Sequence, residues 1–420
     1  MRALFKNRNF SLLFTGTFVS LIGTAFYNFA VGWYLLSLTQ SPLIAGLYIT
    51  IGALVQIAAT PLAGVFVDRL HKVRILYITD FIRGVTVLLG GFVLFALTDT
   101  ALIVTLLYVL TVILALNNAF FQPATAAIRP DIVEDNALNQ ANAMFSFINS
   151  VQAIVGVLAA GILYGILGIE LIFIVNGVSF LLSGISEMFI TMPHPKQARA
   201  QTPPRVVEDL KEGFRYMASK HGLLTFMFAA LLMNFAIAPV FANGMPYLFN
   251  VLLEKEPIHL AMTHVTFSSG MLVGGLLVGM VGAKLAIGKC IRVSITFTTL
   301  GMTVAGVCMY LVAQGSLTYP TFLMVFLPVM FFSALANVFL NVPFMTGVMR
   351  AVEPSVRGRV MAILETLSGA MMPLSFALAG VILQFGSIGA LLIGAFALVL
   401  IPYTMMMFAP PTQRFLRTLG

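Results

Sequence analysis

The sequence predicts an all-α membrane protein with twelve transmembrane helices in two six-helix bundles, and three observations carry that expectation. The 420 residues are 60% hydrophobic and only 9% charged, where soluble domains carry about 25% charged residues. Twelve apolar stretches of roughly spanning length, about 20 residues or more, follow one another with short breaks. The basic residues gather in alternate breaks. With the N-terminus inside, 21 of the 23 Lys and Arg residues lie on the cytoplasmic side, Arg83 lies within a span, and Lys255 is left outside. Lys and Arg are retained on the cytoplasmic side of a membrane, so this split fixes the orientation.

In order, the expected spans are 9–38, 42–67, 75–97, 101–127, 139–166, 170–191, 221–249, 263–283, 291–313, 320–345, 360–384 and 388–409. Turn chemistry separates them at Ser41-Pro42, Thr98-Asp99-Thr100, Gln314-Gly315-Ser316 and Gly386-Ser387. The spans lack the ~10-residue alternation of a membrane β-barrel. Span one reads as a retained helix, since its run is too long for a signal peptide and no small-residue cleavage site ends it. Residues 1–191 form the expected first bundle and 192–220 a cytoplasmic linker. Within that linker, 206–217 is an amphipathic piece suited to the inner membrane surface. Residues 221–409 form the second bundle and 410–420 a cytoplasmic tail. Both termini are thus expected in the cytoplasm, in a multi-pass protein of a plasma membrane, the bacterial cytoplasmic membrane.

The halves repeat faintly. Leu116-Asn117-Asn118-Ala119-Phe120 matches Leu335-Ala336-Asn337-Val338-Phe339, with Pro123 or Pro343 shortly after each. Gly64 and Arg69 after span two correspond to Gly279 and Lys284 after span eight. Two related bundles on one linker imply rocking about a site between them. Cys290 and Cys308, if on one helix, lie about 27 Å apart and cannot be bridged. No basic run interleaves with aromatics, which excludes a nucleic-acid partner. No catalytic or metal-binding constellation stands out, so no enzyme and no cofactor is expected. The expected partners are a small-molecule substrate and membrane lipids, with the chain working as a monomer.

The sharpest motif is Gly64-Val65-Phe66-Val67-Asp68-Arg69-Leu70-His71-Lys72-Val73-Arg74. Gly64 permits close helix approach, and Asp68 is placed to cap the positive end of a helix in the other half. This loop resembles the signature between helices two and three of the major facilitator superfamily. Phe120-Phe121-Gln122-Pro123-Ala124, Pro130-Asp131-Ile132-Val133, Gln140-Ala141-Asn142-Ala143, the linker piece from Glu208 to Tyr216 and Arg357-Gly358-Arg359-Val360-Met361 agree with it. Together they look like the branch containing macrolide and enterobactin exporters, by repute drug:proton antiporters. Two positions depart from the pattern: His71 replaces a glycine, and Gly156-Val157-Leu158-Ala159-Ala160-Gly161 lacks its proline.

The resemblance implies a secondary transporter that exports a hydrophobic or amphipathic small molecule, drug-, macrolide- or siderophore-like, by proton antiport with alternating access. The proton gradient would supply the energy. Gly64, Asp68, Arg69, Lys72, Arg74, Arg357 and Arg359 would form the gate. An uptake permease or lipid translocator of the same fold is the alternative. A membrane scaffold or receptor is disfavoured, because no sizeable domain lies outside the bilayer.

Polar side chains are costly on a lipid face, so they mark candidate cavity positions. Span one carries Thr17, Ser20, Thr24 and Tyr27, and span two Gln56. Spans four and five carry Tyr108, Asn118, Gln122, Asn142 and Asn149, with Asn234 in span seven and Asn337 and Asn341 in span ten. Phe241, Met245, Phe344 and Met372 add an apolar, adaptable wall. The competing role for each polar residue is to hydrogen-bond neighbouring helices together. Gly270, Gly274, Gly275 and Gly279 read as close packing in span eight, and His259 and His264 as solvated outer residues. Four ionisable residues fall within spans: Asp80, Arg83, Glu187 and Glu365. Asp80 and Arg83, three apart, can neutralise one another. Glu187 lies near the inner end of span six, and Glu365, with no base within a turn, is the foremost proton-carrier candidate.

Overall fold

The computed structural model describes residues 2–191, 214–281, 286–353 and 356–418, which are overwhelmingly helical and contain no strand. After a short α1 (Arg2–Lys6) come α2 (Arg8–Thr39), α3 (Pro42–Arg69), α4 (Lys72–Ala96) and α5 (Thr100–Ile132). Then follow α6 (Leu138–Val151), a π-helical turn at Gln152–Gly156, and α7 (Val157–Met188). The second half has α8 (His221–Pro239), π-helical turns at Val240–Gly244 and Leu248–Leu252, and α9 (Pro257–Val281). It continues with α10 (Ile287–Ala313), α11 (Tyr319–Ala351), α12 (Arg357–Phe385), α13 (Ile388–Phe408) and α14 (Pro410–Thr418).

The breaks expected from turn chemistry are helix caps. Ser41 accepts a hydrogen bond from the Ile44 amide, with Pro42 in the first turn. Asp99 caps α5 through the Leu102 amide, and Ser387 caps α13 through the Ala390 amide. Each satisfies an amide that the helix itself leaves unpaired.

Spans five and six share one continuous run, Leu138–Met188, of 51 residues. At ~1.5 Å per residue it is roughly 76 Å long, more than twice the ~30 Å of a hydrocarbon core. Gly168 divides it, with φ 73° and ψ 179° in the middle of α7. That conformation suits glycine alone. Among the described residues, eleven helical runs are long and apolar enough to span a membrane, and the kink makes twelve spans of them.

Packing divides the chain into two compact units. Unit 1 comprises Met1–Thr202 and Lys255–Ala261, and unit 2 comprises Pro203–Glu254 and Met262–Gly420. In unit 1, Tyr27 and Phe173 meet edge to face at 5.0 Å inside a core that also takes in Leu35, Leu107 and Ile172. In unit 2, Phe226 stacks on Phe344 at 4.4 Å within a core built from α8, α10, α11, α12 and α13.

Three local expectations need correction. Helix α9 begins at Pro257, six residues before the expected start of span eight, because proline fits a first turn. His259 and His264 therefore lie on that helix, half-buried, and not in a solvated loop. The span-eight glycines split. A Cβ on Gly270 or Gly274 would meet α11 at 2.3 Å and 3.0 Å, whereas no described atom lies within 4 Å of one on Gly275 or Gly279. The tail is a packed helix: Thr412 and Leu416 are buried, and Gln413 donates to the Met406 and Met407 carbonyls. Most of the 206–217 linker piece lies outside the described residues, with 214–219 helical.

Candidate functional site

The signature loop joins α3 to α4. Arg69 sits in the last turn of α3, where a cation complements the negative end of the helix dipole. Arg69 and Arg74 are exposed. Lys72 donates to the Asp131 carboxylate at the end of α5, and the Asp131 side chain is only 5% exposed. Gly64 meets no described atom within 4 Å of a Cβ position, so no neighbour in unit 1 uses the space it leaves. The side chains of Asp68, Arg357 and Arg359 fall outside the described residues. Both segments of the Lys72–Asp131 pair stood out in the sequence; nothing there linked them.

The polar stripe of span one resolves into helix packing. Thr17, Ser20 and Tyr27 are buried in unit 1 and do not present an open face. The cause is the contact of α2 with α7, where Gly16 and Gly23 lie against Ser183 and Ser179. Ser20 donates to the Thr17 carbonyl and half-buried Thr24 to the Ser20 carbonyl, so both hydroxyls serve their own helix. Tyr108 donates to the Ile44 carbonyl at 2.8 Å and ties α5 to α3. Gln56 and Asn118 are half-buried, while Gln122, Asn142 and Asn149 are exposed. Asn142 accepts from Arg129, whose guanidinium also lies 4.2 Å above the Phe145 ring. In unit 2, exposed Asn234 donates to the Ala230 carbonyl, and Asn341 donates to the Asn337 side chain at 2.7 Å.

Three of the four intramembrane ionisable residues come together in unit 1. Asp80 and Arg83 on α4 form an ion pair at 2.8 Å. The Arg83 guanidinium lies 4.0 Å above the Phe121 ring and 4.9 Å above that of Phe180. Glu187 on α7 is fully buried beside them. Spacing within α4 made the first pair legible; the third member needed the α4–α7 contact. Glu365 lies on α12, and its side chain is outside the described residues.

Unit 2 contains an apolar cavity of about 360 Å³ between α8, the π-helical turn after it, α10, α11 and α13. Phe241 and Met245, two of the four residues expected as an apolar wall, line it. Phe344 instead packs in the core against Phe226, and Met372 is exposed on α12. Met302, Met309 and Met330 complete a methionine-rich lining. Thr299 also belongs to the lining, though its hydroxyl oxygen is itself buried and has no hydrogen-bond partner among the described residues. Val307, Tyr310, Ile393 and Phe396 also line the cavity and are exposed, so they form its rim. Met302 and Met309 lie seven residues apart, two turns on one face of α10, a spacing that could have flagged this wall.

Comparison with known proteins places these features. The chain is 24% identical over 374 residues to macrolide efflux protein A of Streptococcus pyogenes, covering 88% of each. A putative bacilysin exporter of Bacillus subtilis is 31% identical over 163 residues, 39% of this chain and 37% of that one. Among solved structures, a bacterial homologue of the iron transporter ferroportin, in an inward-facing state, aligns at a TM-score of 0.76 and 14% identity, covering 95% of this chain and 98% of that one. A D-xylose-proton symporter aligns at 0.70 and 14% identity, covering 96% and 98%. At such identities the structures speak for the fold alone. The family model described as Major Facilitator Superfamily matches residues 13–376. Twelve spans, the Gly64-to-Arg74 loop and this match across most of the sequence make the chain a multi-pass membrane transporter of the major facilitator superfamily.

Proposed function

We propose that this transporter exports a hydrophobic or amphipathic small molecule, drug-, macrolide- or siderophore-like, by proton antiport with alternating access. The observation that carries the reading is the unit 2 cavity. Its flexible methionines adapt to irregular apolar shapes, and the lining is almost wholly apolar. Such a lining suits a bulky apolar group far better than a sugar or a multivalent anion. Relatives named for macrolide efflux and bacilysin export support the outward direction.

In this reading the proton gradient is the energy source and no cofactor takes part. The monomer works in a bacterial plasma membrane with both termini in the cytoplasm. Asp68 and its neighbouring bases form the gate, with Arg357 and Arg359. Glu365 and the Asp80–Glu187 pair are the carboxyls available to carry the proton. The test is macrolide accumulation in inverted vesicles, with and without an imposed pH gradient. Gradient-dependent accumulation is expected. Accumulation confined to right-side-out vesicles would favour an uptake permease, and movement indifferent to the gradient would discard antiport. Folded Asp68→Asn should transport poorly, since the loss of one charge-assisted contact unbalances the two access states.

A further inference from the structure

Two carboxyl groups and one guanidinium are buried near one another in unit 1. Asp80 and Glu187 are 0% exposed and Arg83 is 6% exposed. The contact is tight because Gly184 brings α7 against α4. A Cβ there would lie 3.4 Å from the Asp80 Cβ and 3.3 Å from the Tyr77 carbonyl oxygen. Glu187 follows Gly184 by three residues, one turn along the same helix, within electrostatic reach of both Asp80 and Arg83. Among the described residues, neither oxygen of its carboxyl has a hydrogen-bond partner.

Among the described residues, Asp80, Arg83 and Glu187 are the charged groups that act on one another here. Helix α2 meets α7 here through Gly16, which faces Ser183, and the Leu12 carbonyl, which accepts from Ser186. Helix α5 contributes the Phe121 ring to Arg83, and its Arg129 is engaged with Phe145 and Asn142. With both acids ionised, the cluster would hold one net negative charge without a counter-ion. An uncompensated charge away from water is among the costliest features a membrane helix can carry. A proton removes it.

We infer that Asp80, Arg83 and Glu187 form a binding site for one proton, held on a carboxyl beside a neutral Asp80–Arg83 ion pair. Arg83 already contacts Asp80, so the proton rests on Glu187. Binding converts the Glu187 carboxylate to the acid, and release returns the carboxylate, which then shares the guanidinium with Asp80. The inference deepens the proton-exchange reading by naming where the proton resides. Its test is spectroscopic and independent of transport, so either can fail alone.

The experiment is infrared difference spectroscopy of the purified full chain in lipid nanodiscs at neutral pH, variant minus wild type. Glu187→Gln should lose one protonated-carboxyl C=O band that shifts in D2O. Asp80→Asn should lose the same band, because Glu187 then ionises to balance Arg83. Each single variant should keep its folded yield, whereas Asp80→Asn combined with Glu187→Gln strands Arg83 and should lose most folded protein. An unchanged carboxyl absorption in Glu187→Gln overturns the site. Collapse of Asp80→Asn beside an intact Glu187→Gln also overturns it, since Glu187 would then be unable to replace Asp80.

Discussion

Gly184 of α7 lies directly against Asp80 of α4: a methyl group placed on Gly184 would sit 3.4 Å from the Asp80 Cβ. The two carboxyls beside this close approach, Asp80 and Glu187, are fully buried. Gly184→Leu should force the helices apart and destabilise the fold by about 1–3 kcal/mol, the usual cost of overpacking. Thermal melting in detergent measures this. A wild-type melting temperature would mean that α7 is free to shift.

Lys72 and Asp131 join the loop before α4 to the end of α5, with the Lys72 side chain 21% exposed and that of Asp131 5% exposed. A partly buried charged hydrogen bond contributes about 1.5–3 kcal/mol. Asp131→Asn should lower stability by an amount in this range, and Lys72→Met should add little on top of it. A double-mutant cycle reads the coupling directly. Strict additivity would show that the pair carries no energy.

Filling the unit 2 cavity tests its role. The Cβ position of Gly306 meets only Leu392 Cδ2, at 3.8 Å, so a larger side chain can enter the space without forcing the backbone. Gly306→Leu should preserve the melting temperature to within about 1 kcal/mol of stability, the range of a tolerated substitution. It should also reduce the thermal stabilisation conferred by a macrolide panel at least tenfold in apparent affinity. Undiminished stabilisation would place the substrate elsewhere.

The orientation expected from the charge split, with 21 of 23 bases inside, is open to direct test. Reporters fused after Lys220 and Gly420 should read as cytoplasmic, and those inserted near Lys255 and Ser316 as external. A cytoplasmic reading at Lys255 would reverse the map.

Sequence alone determined what the solvent decides. Apolar runs of membrane-spanning length, the placement of Lys and Arg, and caps such as Ser41, Asp99 and Ser387 are local properties. Each is dictated by lipid or by an unpaired backbone amide, and each could be read before any contact was known. The break between spans five and six was legible only as the gap between 166 and 170, and its form, a kink at Gly168 without a loop, was not. Tertiary structure decided which polar residues stay open and which serve packing. Thr17, Ser20 and Tyr27 read as a stripe, yet the glycines facing Ser179 and Ser183 draw α7 over them. Lys72 finds Asp131 from 59 residues away, and Glu187 joins a pair on another helix more than a hundred residues before it. Periodicity reports which face of a helix is unusual. Only the approach of a second helix, set by side-chain volumes on both, decides what that face meets.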